Sequence, residues 1–471
     1  MMTLKKTFVS NLVFSFGTQV VSIVVSLIMT LGIPKILNIQ DFGFWQLFIF
    51  YSGFIGFFQL GLSDGMYLKY GGKQFELINK VIIKSEILYF LFFQIGMSLI
   101  IVIYLLFAEL TYPRMYVLLA FSIYSIIGNL ITWLGFLLLA TNNIKRYSKS
   151  VLIEKLIFVI LLLLIFLNNN FSLYSIIVIF IISKVFNLVY LMYLYESYSK
   201  IKVLSFKKTL RFIKSDISAG SVLMMSNIAS TLILGIGRFT IDNKWGIEVF
   251  GKVSLALSAT YFFLLLLNQI SFSLFPMLRM IKLSSQQIIL KSGSYLMSNL
   301  LMAIFVFYYP TVFFLKLWIP QYQESLDYLM VLMPICLFEG KMQMINTTYF
   351  KTLKKQNALF FINISVLALS IILTLISAYF FESIHAILFS MLICLTVRYI
   401  ISYLFLIKIF NLKRDLQIVV ELLMSTVFIL SIWYFEPLIS LIIYSSFFLL
   451  YIVITKKILI KEFRNLTKLK I

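Results

Sequence analysis

Histidine and cysteine are almost absent from this sequence. Its 471 residues include one histidine, His385, and two cysteines, Cys336 and Cys394. A structural zinc site needs a cluster of Cys and His ligands, and a His-based catalytic triad needs its histidine beside a nucleophile. The sequence shows neither pattern. Both cysteines lie in apolar, helical context, so we predict two reduced structural thiols and no disulfide bond.

Charged residues are also scarce, and most of them are basic. Asp, Glu, Lys and Arg make up 12% of the chain, and 61% of it is hydrophobic. A soluble domain carries about 25% charged residues, and a surface that is apolar all round is stable only in lipid. The net charge of +22 is also found in nucleic-acid-binding proteins, but here the basic residues lie in short loops between hydrophobic stretches. That placement indicates membrane topology, so we expect contact with membrane lipid and no nucleic-acid partner.

Motifs for catalysis are missing as well. The sequence has no Walker-type glycine-rich loop, no cluster of metal ligands and no large loop with paired carboxylates. No hydrophilic stretch is longer than about two dozen residues, which leaves no soluble catalytic domain. We therefore predict a transporter and not an enzyme, without a cofactor and not powered by its own ATP hydrolysis.

Hydrophobic stretches long enough to cross a bilayer follow one another along the chain. A transmembrane helix needs about 20 mostly apolar residues. By that criterion the sequence predicts an all-α integral membrane protein of about 14 transmembrane helices. The predicted spans are 8–31, 42–63, 85–107, 116–140, 151–168, 173–195, 216–237, 249–272, 293–316, 326–349, 358–379, 384–406, 417–435 and 438–455.

The basic residues favour one side of the membrane. If the N-terminus is cytoplasmic, 31 of the 40 Lys and Arg residues fall on the cytoplasmic side. Six fall outside: Lys35, Arg114, Arg238, Lys244, Lys252 and Lys316. Cytoplasmic loops carry the excess of Lys and Arg. The sequence therefore predicts that both termini are cytoplasmic.

A short motif occurs twice, about two hundred residues apart. Leu31–Lys35 (LGIPK) aligns with Leu234–Arg238 (LGIGR), and Phe42-Gly43 aligns with Phe250-Gly251, with five extra residues in the second copy. The copies head two predicted six-helix lobes that both begin inside, a parallel repeat known from transporters. The predicted division is a first lobe (1–195), a basic cytoplasmic linker (196–215), a second lobe (216–406), and two additional helices with a basic tail (407–471).

Polar residues follow one face of the predicted spans 1 and 7. They recur every three or four residues, and Gln19 of span 1 aligns with Asn227 of span 7. One interpretation is packing of small residues with hydrogen bonds between helices. The other is a pair of helices that line a wet central cavity, which makes Gln19 and Asn227 candidates for substrate binding.

Charged residues inside predicted spans are stronger candidates, because each is costly in lipid and normally faces a cavity or a partner. They are Lys184 in span 6, Glu339 and Lys341 in span 10, and Arg398 in span 12. Glu339 and Lys341 are two residues apart, so they do not face each other on a helix. Arg398 cannot lose its proton, so it must meet water, an acid or an anionic substrate. The alternative for these cations is a structural ion pair or snorkelling.

Further candidates lie at the ends of spans. Lys35 and Arg238 are the repeat-related cations at the outer ends of spans 1 and 7, and Asp242 stands four residues after Arg238, where the two can pair on a helix. Asp64 is a coupling candidate in a glycine-flanked turn, where a turn or capping role is the simpler interpretation. We expect three acids near cytoplasmic ends to be interfacial: Glu86, Glu154 and Glu421.

Two motifs carry a family resemblance. DFGFWQLF (Asp41–Phe48) and QLGLSDGMYLKYGG (Gln59–Gly72), with six, six and two spans, resemble the Wzx-type polysaccharide flippases of the multidrug/oligosaccharidyl-lipid/polysaccharide exporter superfamily. The resemblance implies translocation of an undecaprenyl-pyrophosphate-linked repeat unit from the inner to the outer leaflet by alternating access. It also implies a cationic cavity, and a groove for the lipid tail near the last two spans. Span 1 departs from strongly charged versions of the pattern because it has no arginine.

This interpretation sets expectations for location, partners and energy. We expect the bacterial plasma membrane, and as partners a polysaccharide polymerase and chain-length machinery for capsule, exopolysaccharide or O-antigen. Outward movement of an anion gains about 2.3 kcal/mol per charge per 100 mV, so export uses the membrane potential or couples to Na+ or H+. Three alternatives stay open: a peptidoglycan-precursor flippase, a drug/cation antiporter with embedded acids in the first lobe, and a membrane polysaccharide polymerase.

Overall fold

The structure is a computed structural model that describes residues 17–18, 20–73, 75, 78–168, 171–195, 202–412 and 416–467. Within these ranges, the side chains of 265–277, 279–280 and 467 are not described. All regular structure in these ranges is helical, and none of it is strand. The chain divides into two compact units, Met1–Ile228 and Ala229–Ile471.

In the described ranges, the first unit contains seven helices and the beginning of an eighth. Their bounds are α1 (Val20–Ile36), α2 (Ile39–Ser52), α3 (Leu62–Tyr70), α4 (Lys80–Phe107), α5 (Tyr112–Ala140), α6 (Ile144–Leu167), α7 (Leu173–Leu194) and α8 (Phe206–Met280). A 3₁₀ turn, Ile55–Gln59, lies between α2 and α3. Helix α5 is central to this unit, since it packs against α2, α3, α4 and α7.

The second unit continues with seven more helices. They are α9 (Leu283–Trp318), α10 (Gln323–Leu332), α11 (Ile335–Thr352), α12 (Gln356–Tyr379), α13 (Ile384–Ile409), α14 (Gln417–Tyr434) and α15 (Pro437–Thr467). Helix α13 packs against α10, α11 and α12, and α9 packs against α11, α14 and α15. Helices α11 and α13 are therefore the inner helices on which the candidate site is built.

Within the described ranges, ten helices are long and apolar enough to cross a membrane, or up to twelve if each bent pair is one span. One pair bends by 64° between Gln59 and Leu62, where Leu60 and Gly61 have positive φ. The other bends by 52° before Ile335, beside Pro334, since proline interrupts a helix. The all-α membrane architecture is confirmed, while the count of fourteen and the orientation stay predictions.

Helix α8 differs from what the sequence predicts. It begins at Phe206 inside the predicted linker 196–215, and it includes both predicted spans 7 and 8. Its helical geometry is broken at Gly246, where φ is 84° and ψ is 177°. Residues 196–201 of the predicted linker lie outside the described ranges. The proposed division into lobes stays a prediction.

The aromatic motif Asp41–Phe48 forms part of the core of the first unit. Trp45 and Phe48 of α2 are almost fully buried. Both rings meet Phe180 of α7 edge to face, with centroids 5.6 Å apart in each case, and Phe48 also meets Tyr124 of α5. Such edge-to-face pairs stabilise packing by about 0.5–1.5 kcal/mol each. This motif therefore holds α2, α5 and α7 together.

Candidate functional site

Arg398 lies at the centre of the second unit and is 2% exposed. Its Nη2 is 2.6 Å from Oε2 of Glu339 on α11, and its Nη1 donates to the hydroxyl of Ser230 on α8. The other oxygen of Glu339 accepts a bond from Gln343 at 2.6 Å. Two predicted site residues, Arg398 and Glu339, are thus brought together as an ion pair.

Lys341, which also lies on α11, forms a second buried ion pair. Its Nζ is 2.5 Å from Oε1 of Glu421 on α14, and both side chains are at most 1% exposed. Ser298 of α9 contacts both partners, and the ammonium lies 4.7 Å from the ring centroid of Tyr399. As predicted from their spacing, Glu339 and Lys341 do not pair with each other; each has a partner on a different helix.

Lys184 is the corresponding cation of the first unit, and it is half-buried. Its Nζ is 2.8 Å from Oε1 of Glu154 on α6, and Asn187 donates to the other carboxylate oxygen at 2.6 Å. The ammonium also lies 5.2 Å from the ring centroid of Phe180. The structure thus forms the ion pair that the sequence left as an alternative to a cavity-facing role.

The motif Gln59–Gly72 contributes to a second charged cluster in the first unit. Lys69 of α3 is 2.9 Å from Oδ1 of Asp216 on α8 and 3.5 Å from Oε1 of Glu86 on α4. Both carboxylates are buried, with residue exposures of 1% and 0%, respectively. The glycines of the motif explain the close approach of α3 to α8. A Cβ on Gly65 would lie 1.7 Å from the carbonyl oxygen of Asp216, and a Cβ on Gly220 would lie 2.1 Å from that of Gly61.

Three buried amides form a chain of hydrogen bonds in the first unit. Gln59 donates to Asn129 of α5, Asn129 donates to Gln94 of α4, and Gln94 donates to the carbonyl of Phe58; each bond is 2.7 Å long. The sequence alone did not indicate that these three amides contact one another. A buried amide costs free energy unless it is hydrogen-bonded, so this chain ties α4 and α5 to the bend before α3.

The other predicted site residues have varied surroundings. Arg238 is half-buried, with its Nη2 2.8 Å from the hydroxyl of Ser254 and its guanidinium 5.0 Å from the ring centroid of Phe250. Lys35 and Asn227 are exposed, Asp64 is half-buried in the first turn of α3, and Asp242 is 4% exposed. Gln19 lies outside the described residues.

Three carboxylates that are predicted to lie near the membrane interface are buried within the protein. Glu86, Glu154 and Glu421 are 0%, 5% and 0% exposed, respectively. Each carboxylate forms an ion pair with a lysine. Helices α4 and α6 begin before the predicted spans, and neighbouring helices cover these helix ends. The position of the three acids relative to the membrane interface stays a prediction.

An apolar groove lies beside the Arg398–Glu339 pair. It has a volume of about 480 Å³ and is lined by α11, α13 and α14. Its lining includes Phe338, Leu392, Thr396, Val397, Leu422, Leu430 and Trp433. Phe338 and Val397 directly precede Glu339 and Arg398 in the sequence. The groove and the ion pair therefore occupy neighbouring faces of the same turns of α11 and α13.

The fold is similar to that of known transporters. The lipid II flippase MurJ, in an inward-closed conformation, matches with a TM-score of 0.58 and 14% identity over 96% of this chain and 99% of that chain. An inward-facing multidrug resistance MATE family transporter of the MOP superfamily matches with a TM-score of 0.55 and 12% identity, over 83% and 98%. A MATE protein in complex with MaL6 matches with a TM-score of 0.55 and 11% identity, over 85% and 96%.

No protein-family model and no curated protein matches this sequence. At 11–14% identity the structural matches show the fold alone. The chain therefore has a helical fold similar to that of these structures.

Proposed function

We propose that this chain is a flippase for a lipid-linked oligosaccharide. It would move an undecaprenyl-pyrophosphate-linked repeat unit from the cytoplasmic to the outer leaflet of a bacterial plasma membrane. The observation that carries this proposal is the apolar groove on α11, α13 and α14 directly beside the buried Arg398–Glu339 pair. A long apolar tail and an anionic head group need these two environments side by side.

The groove suits a tail that stays in an apolar environment during transport. A tail moved from lipid into the groove gains no hydrophobic free energy, because hydrocarbon is as apolar as the protein. The barrier lies in the pyrophosphate and the sugars, which cannot enter hydrocarbon unaided. A groove open at its rim, where Leu430 and Trp433 are both 48% exposed, lets the tail remain outside while the head group crosses through the protein.

The buried cations supply the charge that the head group needs. We propose that the pyrophosphate replaces Glu339 as the partner of Arg398, so that the guanidinium is never buried without an anion. Lys184, Arg238, Lys341 and Lys35 would assist along the path, and the polar face of Gln19 and Asn227 would replace water around the sugars. Export in cells that carry Arg398→Ala together with Lys184→Ala, at normal protein level, tests this role; unchanged export would exclude it.

The first experiment on function is deletion of the gene, followed by mass analysis of the lipid-linked saccharides. Their leaflet is determined with a glycan-modifying enzyme added outside. The expected result is a pyrophosphate-linked repeat unit that accumulates and is shielded from the enzyme. Accumulation of outward-facing units would instead indicate a step after flipping, where a polymerase and its chain-length machinery act. No change in lipid-linked saccharides would lead to drug and ion antiport assays.

A peptidoglycan-precursor flippase is the second candidate, favoured by the match to the lipid II flippase over 96% of this chain. Complementation separates the two candidates. A strain depleted of its own peptidoglycan-precursor flippase should not grow when it produces this chain, if the cargo is an oligosaccharide repeat unit. Growth of that strain would assign the precursor as cargo.

A further inference from the structure

The Lys69–Glu86–Asp216 cluster differs from the other buried ion pairs in its charge. Arg398–Glu339, Lys341–Glu421 and Lys184–Glu154 each join one cation to one carboxylate. In the Lys69 cluster, two carboxylates share a single ammonium group. With all three groups ionised, this cluster carries one negative charge in excess.

The excess charge resides on Glu86. Lys69 binds both oxygens of Asp216, at 2.9 and 3.0 Å, but reaches only Oε1 of Glu86, at 3.5 Å. The other oxygen of Glu86 is buried and has no hydrogen-bond partner. Removal of a carboxylate from water costs several kcal/mol unless it is paired and hydrogen-bonded. Glu86 is thus the group of the cluster whose negative charge is least compensated.

Among the described residues, Lys69 is the cation that faces Glu86. The titratable groups that face it are Lys69 and Tyr70 of α3 and Asp216 of α8. On its own helix, the hydroxyl of Ser85 already donates to Val81 and accepts from Leu204. Two carboxylates that share one site hold a proton between them, because the second negative charge is disfavoured.

We propose that Glu86 is a proton-binding site, and that one proton enters the cluster when α3 packs against the N-terminal part of α8. Contact between Gly61, Gly65 and Gly220 brings the two helices together and excludes water from both carboxylates. When the helices separate, water reaches Glu86 and Asp216, and both carboxyl groups are then ionised at neutral pH.

The sign of the pH dependence follows from proton uptake on assembly. The assembled cluster binds one proton more than the separated one, so a fall in pH stabilises the assembled state and a rise in pH favours separation. One proton changes the equilibrium constant by at most about tenfold per pH unit. The site rests on the geometry of the first unit alone; its use to couple protons to transport rests on the proposed function.

The test uses the full-length protein in lipid nanodiscs, without lipid-linked saccharide, so its result is independent of the export assay. Infrared difference spectra report a protonated carboxyl group. Spin labels at Leu68→Cys on α3 and Lys214→Cys on α8, both exposed positions, report the distance between the helices. The native Cys336 and Cys394 are free and buried, so labelling is directed to the introduced residues.

We expect a protonated-carboxyl band at neutral pH and a short-distance population that grows by up to about tenfold per pH unit as the pH falls. In Glu86→Gln the band is lost and the distance no longer depends on pH. In Asp216→Asn the band is also lost, because Lys69 and Glu86 then form a neutral pair. The matched control Glu109→Gln, an exposed acid after α4, changes neither reading.

Two results would overturn the proposal. One is a band and a pH dependence that persist in both Glu86→Gln and Asp216→Asn. The other is a distance that responds to Na+ at fixed pH in the original protein and not in Glu86→Gln, which would assign a metal cation to the cluster. Two variants at different positions keep the test decisive if one of them fails to fold.

Discussion

Buried cations of the candidate site each have a carboxylate within ion-pair distance. Arg398 has Glu339 at 2.6 Å and Lys341 has Glu421 at 2.5 Å. In a low-dielectric interior, the loss of one partner costs more than the pair contributes, because an unpaired charge remains. The ion pairs can therefore hold these cations ready for an anionic substrate without making the fold depend on that substrate.

The variant Arg398→Met tests how much stability is lost when one partner of the buried ion pair is removed. It leaves Glu339 buried without its cation, so the free energy of unfolding should fall by about 3–5 kcal/mol. Arg398→Met with Glu339→Gln removes both charges and should recover most of that loss. Both variants should fail to export if Arg398 binds the head group. The measurements are unfolding in detergent micelles and lipid-linked saccharide analysis.

Glu339→Gln alone completes the double-mutant cycle. It leaves Arg398 buried without an acid, so it should destabilise the protein as Arg398→Met does. Additive losses of stability in the double variant would contradict a direct pair. Export restored in the double variant would remove Arg398 from substrate binding and leave it a structural role.

At the level of the helices, the close contact of α3 with α8 depends on glycine. A Cβ at Gly65 would meet the backbone of Asp216 at 1.7 Å, whereas a Cβ at Gly56 would meet no atom within 4 Å. Between helices in lipid, small residues permit the close backbone packing that drives association. The motif Gln59–Gly72 thus combines a close helix contact with the charge of Lys69.

Gly65→Ala should push α3 away from α8. Overpacking of this kind costs about 1–3 kcal/mol, and here the clash is with backbone that cannot rotate aside. We expect a lower thermal midpoint and a longer distance between labels at Leu68→Cys and Lys214→Cys. Gly56→Ala is the matched control and should change neither value. A distance in Gly65→Ala equal to that of the original protein would contradict the described contact.

The two copies of the repeated motif share a break in the helix between their anchors. In the first copy α1 ends at Ile36, and Asn38 caps α2 by accepting from the backbone N–H of Asp41 at 2.7 Å. In the second copy α8 is broken at Gly246, within the stretch that holds the five extra residues. At the first break the side chain of Asn38 caps the next helix. At the second break Gly246 adopts a backbone conformation that is open to glycine.

Gly246→Ala should be destabilising at this break. Its φ of 84° and ψ of 177° lie in a region that is essentially restricted to glycine, and other residues lose about 1–3 kcal/mol there. Gly96→Ala in α4, where a Cβ meets no atom within 4 Å, should be neutral or slightly stabilising. Thermal unfolding of both purified variants checks this. Equal thermal stability of Gly246→Ala and Gly96→Ala would contradict the described break of α8 at Gly246.

Across the whole molecule, the groove connects an inner helix pair with the last part of the chain. Its walls are α11 and α13 on one side and α14 on the other, so it depends on a helix that follows both predicted six-helix lobes. The groove is therefore the feature to alter in a test of lipid cargo.

Leu430→Trp narrows the groove from its open edge. If the tail of the proposed cargo lies in the groove while the head group crosses, export should fall several-fold at unchanged protein level. Ile442→Trp on α15 is the matched control, since Ile442 is 64% exposed and does not line the groove. Lipid-linked saccharide analysis in both strains is the measurement. Equal export from both would exclude the groove as a path for the tail.

The sequence by itself determined the class of the protein and several of its buried charges. Fold class follows from composition, because a chain with 61% hydrophobic residues in helix-length stretches can satisfy its backbone in lipid only as helices. Arg398, Lys184, Lys341 and Glu339 were identified because a charge inside an apolar stretch is visible without neighbours. The separation of Glu339 from Lys341 followed from helical periodicity alone.

Only the tertiary structure decided which acid each cation meets. Glu86, Glu154 and Glu421 each lie on a different helix from the cation they bind, and their burial depends on neighbours that cover a helix end. The groove and the contact of Gly65 with Asp216 likewise arise between segments far apart in the chain. Periodicity describes one helix at a time, whereas an ion pair or a groove is a property of several helices packed together.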